Sequence, residues 1–361
     1  MSGRPVRVEV RYPLRDGRML LRTSLDWDRD LPPVAVDRAG GRYRFELELE
    51  RDAFVYFKPL IDTGSEPRWS RGEDYLLLSA GDRPLVIHPF FTDDAGCSVC
   101  ELAERRSEES GRSHGFRVFL PPGYHENTAE RLPVIYMQDG QNLFFGEEAF
   151  AGRHWRVAET LDLLTSMNLV QRAIVVGVHP AARETDYTSP GYEAYGRYLV
   201  DELVPWIDAN YRTCRRPEQT AVIGSSLGGV VSLYLAWQWP RVFGLAACMS
   251  STFGWADDLM RRISVERRRR LRIYLDSGWP RDNYEVNRLM RELLLHRGYV
   301  LGRDLLYLAF PQAPHDETAW STRLHLPLQF LFGPAAAPPS LRSGLRASEK
   351  NRTVLFPASS S

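Results

Sequence analysis

Between residues 116 and 332 the chain alternates two kinds of segment, and this alternation restricts the fold more than any other feature of the sequence. Apolar runs at 116–120, 134–137, 173–178, 220–223, 244–249, 271–275 and 305–310 are continuous, as in strands covered on both faces. Amphipathic stretches at 155–166, 196–209, 229–239, 283–296 and 317–332 lie between them, with the length and period of helices. Repeated βα units of this kind specify an α/β fold, a mostly parallel sheet with helices on both faces.

The first ninety or so residues have a two-residue rhythm instead. Tyr43-Arg44-Phe45-Glu46-Leu47-Glu48-Leu49-Glu50 alternates apolar and charged residues, as a strand with one buried face does. Further short runs at 6–12, 19–24, 53–59 and 85–89 are separated by glycine and proline turns. Residues 1–95 therefore read as a small antiparallel β-sandwich preceding the α/β domain. Residues 96–112 continue a charged succession that begins at Asp93 and Asp94 and includes Glu101, Glu104, Arg105, Arg106, Glu108 and Glu109, and read as a linker or an exposed helix. The α/β domain is expected over 113–333. The tail 334–361, rich in proline, alanine and serine without periodicity, is expected to lack fixed structure.

Charge excludes some partners. The 46 basic residues balance the 46 acidic ones, so no overall field favours nucleic acid or an anionic membrane. The basic stretch 261–272 is interleaved with Ile263, Val265 and Leu271, the pattern of a solvated helix face leading into a strand. No apolar run approaches the ~18 residues that cross a bilayer, and Arg4, Arg7, Glu9, Arg11, Arg15 and Asp16 interrupt the start of the chain where a signal peptide needs an apolar core. The expectation is a cytoplasmic protein with neither a nucleic-acid nor a membrane partner. Cys97 and Cys100 form a CxxC without a second pair, although His114 and His125 follow, and Cys214 and Cys248 stand alone. Reduced thiols and no bound metal are the expectation.

Chemistry concentrates after the run 220–223, where Gly224-Ser225-Ser226-Leu227-Gly228-Gly229 fits G-x-S-x-G and a helical stretch follows. Strand, motif and helix in this order form a sharp turn that lifts a serine hydroxyl clear of the sheet. Ser226 is the candidate nucleophile, and the amide of Leu227, at a helix N-terminus, is the candidate first donor to an oxyanion. A serine hydroxyl needs a base, and in this chain order the base comes last, after an acid. His315, in the proline-bounded loop Pro311-Gln312-Ala313-Pro314-His315-Asp316, fits that place. His88, His114, His125, His154 and His179 precede the serine, and His296 and His325 fall in helical stretches. For the acid, the segment after 271–275 offers Asp276 and Asp282. Asp282 is preferred because its loop gives a carboxylate the reach to a histidine ring, with Asp276 as the alternative.

Three segments together, Val134-Ile135-Tyr136-Met137-Gln138-Asp139-Gly140-Gln141-Asn142-Leu143-Phe144, the Gly224 to Gly229 motif, and Pro314-His315-Asp316 with Trp320, resemble an esterase family of the α/β-hydrolase fold. That family includes enterobactin and other trilactone siderophore esterases, feruloyl and acetylxylan esterases, and S-formylglutathione hydrolase. The resemblance covers about residues 113–333. It implies that the loop after 134–137 supplies a second oxyanion donor, from the amide of Gln141 or its neighbour Gly140, and that Asp139 shapes this loop. The siderophore esterases carry an amino-terminal β-sandwich, which residues 1–95 resemble more loosely. Asp26-Trp27 is similar to the strand ending of starch-binding and early-set domains. Trp27 and Trp69 read as core residues of the sandwich, with weak glycan binding as the alternative.

On the substrate side, the loop after Val178 lies at the carboxyl edge of the sheet, and Arg183, Tyr187 and Trp155 are candidates there. The expected reaction is two-step acyl transfer from a small-molecule ester to water, without a metal or organic cofactor. An acyltransferase on the same residues, and a catalytically silent carbohydrate-binding protein, are the alternatives.

Overall fold

The computed structural model describes residues 4–50, 53–79, 84–92 and 96–333; the expected tail 334–361 lies outside them. Nine strands come first: β1 (Arg4–Arg11), β2 (Arg18–Thr23), β3 (Asp26–Leu31), β4 (Ala35–Asp37), β5 (Arg42–Leu49), β6 (Phe54–Asp62), β7 (Arg68–Trp69), β8 (Tyr75–Leu78) and β9 (Leu85–Ile87). They form two sheets, ordered β4-β5-β1-β9 and β3-β2-β6-β7, with β8 also on β6. In β5, Tyr43, Phe45, Leu47 and Leu49 are buried while the intervening arginines and glutamates are exposed. That face meets Met19, Leu21, Val55 and Phe57 of the other sheet in one core. The register Val8↔Phe45 is thereby fixed, because a slip of one residue would turn the charged face inward. One pairing departs from the expected antiparallel pattern: β9 runs parallel to β1.

A nine-stranded sheet follows, built from β10 (Ser98–Val99), β11 (Ala103–Arg106), β12 (Ser113–Leu120), β13 (Val134–Gln138), β14 (Ile174–Val178), β15 (Thr220–Ser225), β16 (Leu245–Met249), β17 (Arg272–Trp279) and β18 (Leu305–Pro311). Its order is β10-β12-β14-β13-β15-β16-β17-β18, with β11 also on β12. From β14 to β18 every pairing is parallel; β12 joins β14 antiparallel. Part of the segment read as a linker or helix is thus strand. β10 and β11 pair with β12 and form this edge of the sheet, and the charges of β11 suit a strand at a sheet edge.

The helices are α1 (Val157–Ser166), α2 (Arg183–Tyr187), α3 (Gly191–Arg197), α4 (Val204–Asn210), α5 (Leu227–Gln238), α6 (Leu259–Val265), α7 (Tyr284–His296), α8 (Glu317–Arg323) and α9 (His325–Phe332). Adjacent residues of the central strands feed opposite cores. Tyr136 and Val222 pack with α3, α4 and α5, whereas Ile135, Met137 and Ile223 pack with α1, α8 and α9. The stretch expected as one helix over 317–332 breaks at Leu324, because Pro327 has no N–H to continue the hydrogen-bond ladder back to Arg323. Among the described residues no helix is long and apolar enough to cross a membrane. The four cysteines are free thiols.

Candidate active site

The strand β15 delivers the chain to Ser226, whose backbone takes φ 54° and ψ −123° before α5 begins at Leu227. The turn is this tight because of its glycines. A Cβ on Gly224 would lie 2.4 Å from the carbonyl oxygen of Gly228, and one on Gly229 would lie 2.0 Å from Ser251 Oγ. The Ser226 amide donates to Met249 O at 2.9 Å, anchoring the turn to β16. As the first residue of α5, Leu227 has an N–H with no acceptor inside the helix, and the helix dipole adds to its pull on a negative oxygen. The Ser226 side chain is half-buried and its hydroxyl makes no hydrogen bond among the described residues.

Facing this turn is the loop that leaves β13. Asp139 adopts a left-handed conformation (φ 55°, ψ 52°), and a single 3₁₀ turn spans Gly140–Asn142. A Cβ on Gly228 would lie 3.2 Å from Asp139 Oδ2, so loop and turn are in contact. Gly140 packs against Gly177 of β14, where a Cβ would approach the backbone to 2.5 Å. The Asp139 carboxylate is buried and receives the Arg183 guanidinium through both nitrogens, Nε to Oδ1 at 2.8 Å and Nη2 to Oδ2 at 2.9 Å. The Asp139 N–H donates to the Tyr187 hydroxyl at 2.9 Å. The Gln141 side chain points back, its Nε2 3.5 Å from Asp139 Oδ1.

Two residues expected on the substrate side do not face a substrate. Tyr187 is fully buried, and burial pushes its phenol well above the usual range; it holds the Asp139 amide from behind. Trp155 is 2% exposed and packs in the core, 5.9 Å from the Trp320 ring. Their burial is not legible in the sequence, because a large aromatic just before a helix or at the end of a single helical turn carries no periodicity that reveals it. Arg183 keeps part of its side chain in solvent, 41% exposed, while bound to Asp139.

The third part of the site lies beyond β17. Asp282 and Asn283 both take left-handed conformations (φ 62° and 61°), turning the chain into α7. Asp282 Oδ1 is 2.5 Å from His315 Nδ1, and Asp282 Oδ2 accepts from the Gly278 amide at 2.7 Å and from Ser250 Oγ at 2.6 Å. The Asp282 side chain is 1% exposed and that of His315 is 38% exposed. Asp316 caps α8 by accepting from the Ala319 amide at 2.9 Å, which fixes the loop that presents His315. The other candidate acid, Asp276, does not reach His315. It is completely buried and bonded to Arg323 Nε at 3.1 Å and to Tyr274 Oη at 2.8 Å. Burial pushes its carboxyl up to about 6, with Arg323 pulling the other way.

The family model described as "Putative esterase" matches residues 107–324, a span that holds Ser226, the Asp139 loop, Asp282 and His315. The chain belongs to that family. A curated relative, an uncharacterized protein of Bacillus subtilis, is 25% identical over 44% of this chain and 64% of its own length. The chain thus spans less than two thirds of that relative. Among solved structures, a ferulic acid esterase superposes with TM-score 0.56 at 17% identity, over 66% of this chain and 98% of that one. An enterobactin esterase from Shigella flexneri, solved in the presence of enterobactin, superposes with TM-score 0.54 at 17% identity, over 91% of this chain and 92% of that one. These structures share the fold, and the second shares it through the amino-terminal sheets as well.

Three residues of this esterase-family chain that sequence reasoning passed over complete the site. Ser250 follows β16 and touches Asp282; Asn283 Nδ2 holds the Ser250 carbonyl at 2.8 Å; and Arg323 reaches both Ser250 and Asp276. No local motif marks them, since each acts across more than thirty residues of chain.

A separate shallow cavity of about 410 Å³ lies on the amino-terminal sheets, lined by Arg22, Trp27, Asp28, Lys58, Trp69 and Asp74. Trp27 is 38% exposed and Trp69 half-buried, with the Arg22 guanidinium 5.4 Å from the Trp69 ring centre. Neither tryptophan belongs to the sandwich core, which corrects the reading that placed them there: β3 is exposed along nearly its whole length, so its aromatic residue has no second sheet to pack against.

Proposed function

We propose that the protein is a serine carboxylic-ester hydrolase working through an acyl-enzyme. The observation that carries this reading is the His315–Asp282 contact at 2.5 Å, in a chain whose family is named for esterases and whose strand-turn-helix presents Ser226. Ser226 Oγ attacks the ester carbonyl while His315 Nε2 takes its proton. Asp282 holds the ring through Nδ1–H, fixing the tautomer and stabilising the imidazolium. The tetrahedral oxyanion rests on the backbone amides of Leu227 and of Gln141 or Gly140. His315 then returns the proton to the leaving alcohol, and water repeats the sequence on the acyl-enzyme. The free amide at the head of α5 and the rigid Asp139 loop supply preorganised donors, and removing one such donor costs about a hundredfold to a thousandfold in turnover.

The substrate in this reading is a small ester, with trilactone siderophores and hydroxycinnamoyl esters the classes suggested by the enterobactin and ferulic acid esterases of like fold. Hydrolysis of p-nitrophenyl acetate, butyrate and octanoate by the wild type and Ser226→Ala tests it. Turnover that disappears in the variant supports the serine mechanism, and equal rates in both refute it. Adding an alcohol acceptor and analysing products separates hydrolysis from acyl transfer.

The Trp27 and Trp69 cavity favours a second role for the amino-terminal sheets, weak glycan binding. The exposed Trp27 indole gives an apolar face on which a sugar ring can stack, and the charged residues around it provide hydrogen-bond partners. Titration of xylo- and malto-oligosaccharides against tryptophan fluorescence, with Trp27→Ala alongside, tests it; an unchanged spectrum in the wild type refutes it.

A further inference from the structure

Asp282 has two carboxylate oxygens, and the proposed mechanism uses one. The other is held by a buried polar cluster. Ser250 Oγ lies 2.6 Å from Asp282 Oδ2, 3.0 Å from Trp320 Nε1 and 2.5 Å from Arg323 Nη2. An indole N–H and a guanidinium N–H are donors only. Both therefore occupy the lone pairs of the Ser250 oxygen, and its single proton has one acceptor left, the Asp282 carboxylate. A hydroxyl polarised by two donors, one of them cationic, is a stronger donor in turn.

Arg323 is 3% exposed and stands 3.5 Å from Asp282 Oδ2. Its charge is balanced from the other side by Asp276, fully buried, at 3.1 Å from both Nε and Nη2. Asp276 is fixed in turn by Tyr274 Oη and by the Ser250 amide at 3.2 Å. The cluster also reaches the base, because the Trp320 ring that donates to Ser250 meets the His315 ring edge-on, 4.9 Å between centres at 86°. One arginine, one serine and one tryptophan thus fix the orientation of both Asp282 and His315.

We infer that Ser250, Arg323 and Asp276 are positioning residues for the Asp282–His315 pair, an inference that rests on the proposed serine mechanism. Asp276 pins Arg323, Arg323 and Trp320 orient the Ser250 hydroxyl, and Ser250 fixes the Asp282 carboxylate in the plane that His315 needs. None of the three touches the substrate. Their contribution is geometric: misplacing a reacting group by about 1 Å costs about a hundredfold in rate.

The test compares wild type, Ser250→Ala, Arg323→Met and Arg323→Lys in the full chain. Each is assayed for kcat and KM on p-nitrophenyl butyrate, for the rate of covalent labelling of Ser226 by a fluorophosphonate, and for thermal unfolding. Ser250→Ala is expected to lower kcat and the labelling rate about tenfold to a hundredfold at unchanged KM, in a protein that still unfolds cooperatively. Arg323→Lys, which keeps a buried cation and donor, is expected to recover part of the loss seen in Arg323→Met. Should the Arg323 variants fail to fold, Ser250→Ala decides alone, since it removes one oxygen atom. A folded Ser250→Ala with wild-type kcat and labelling rate overturns the inference while leaving the serine mechanism standing. A wild type that the fluorophosphonate does not label at Ser226 overturns the mechanism and this inference with it.

Discussion

His315 and Asp282 stand 33 residues apart in the chain and 2.5 Å apart in space, with the carboxylate sealed from solvent and the imidazole partly open to it. The carboxylate accepts from two donors besides the ring, Ser250 and Gly278, and its Oδ2 stands 3.5 Å from the Arg323 guanidinium as an ion pair. Replacing it with an amide keeps the shape and changes the tautomer it selects. Asp282→Asn is expected to lower kcat by about ten-thousandfold with little change in melting temperature. Steady-state kinetics beside a thermal melt check both halves, and a loss of tenfold or less would remove Asp282 from the mechanism.

Gly224 cannot accept a side chain. A Cβ there meets the carbonyl oxygen and carbon of Gly228 at 2.4 and 2.5 Å, and both belong to the turn that carries Ser226. Gly224→Ala is expected to cost about 1–3 kcal/mol or more as an overpacked site, lowering the melting temperature by several degrees. Gly254, at φ +83° with open space around it, is the comparison. Gly254→Ala pays backbone strain alone, and differential scanning calorimetry should rank it the milder of the two.

Arg183 bridges Asp139 with two nitrogens and so holds the loop that faces Ser226. Arg183→Met leaves the Asp139 carboxylate buried without its partner, which is expected to lower both stability and kcat, the latter about tenfold to a hundredfold. Arg183→Lys is not expected to restore the rate, because an ammonium cannot reproduce the planar fork. A lysine variant at full activity would show that charge alone positions the loop.

His88 gives the fold a dependence on pH. Burial, with Arg11 and Arg172 adding to it, pushes its imidazole down to about 4, against about 6.5 in an unfolded chain. Above pH 6.5 the ring is neutral in both states and costs nothing. As pH falls from 6.5 towards 4 the unfolded chain takes up a proton that the folded one refuses, so stability drops, by at most about 3 kcal/mol. His88→Gln is expected to flatten the fall in melting temperature between pH 7 and pH 5; an identical slope in both proteins would show that other groups carry it.

The two-layered arrangement of helices around a parallel sheet could be read from the alternation of apolar runs with amphipathic stretches, because strands covered on both faces leave no room for polar residues. The turn bearing Ser226 could be read because its glycines, Gly224, Gly228 and Gly229, fall within six consecutive residues around the serine. Asp276 and Asp282 are less easily told apart from the sequence. Asp276 lies within β17 and Asp282 just beyond it, and what separates their roles is Arg323, 47 residues beyond Asp276, which claims one carboxylate and leaves the other near His315. Strands β10 and β11 read as linker because β10 is only two residues long and the charged residues of β11 at a sheet edge look like loop. Tyr187 and Trp155 read as substrate-side candidates because their burial comes from elements far away in sequence, Asp139 and Trp320 among them.

Helix α5, at whose head Ser226 stands, is buried at every position from 227 to 237, while His315 rides on a loop with its ring partly in water. The proposed nucleophile therefore belongs to the part of the molecule expected to open only when the whole fold opens, and the proposed base to a part that can open by itself. Warming should disconnect the two before the protein melts. Turnover would then fade at temperatures where the circular dichroism is still native and return on cooling, while amide exchange stays slow along α5.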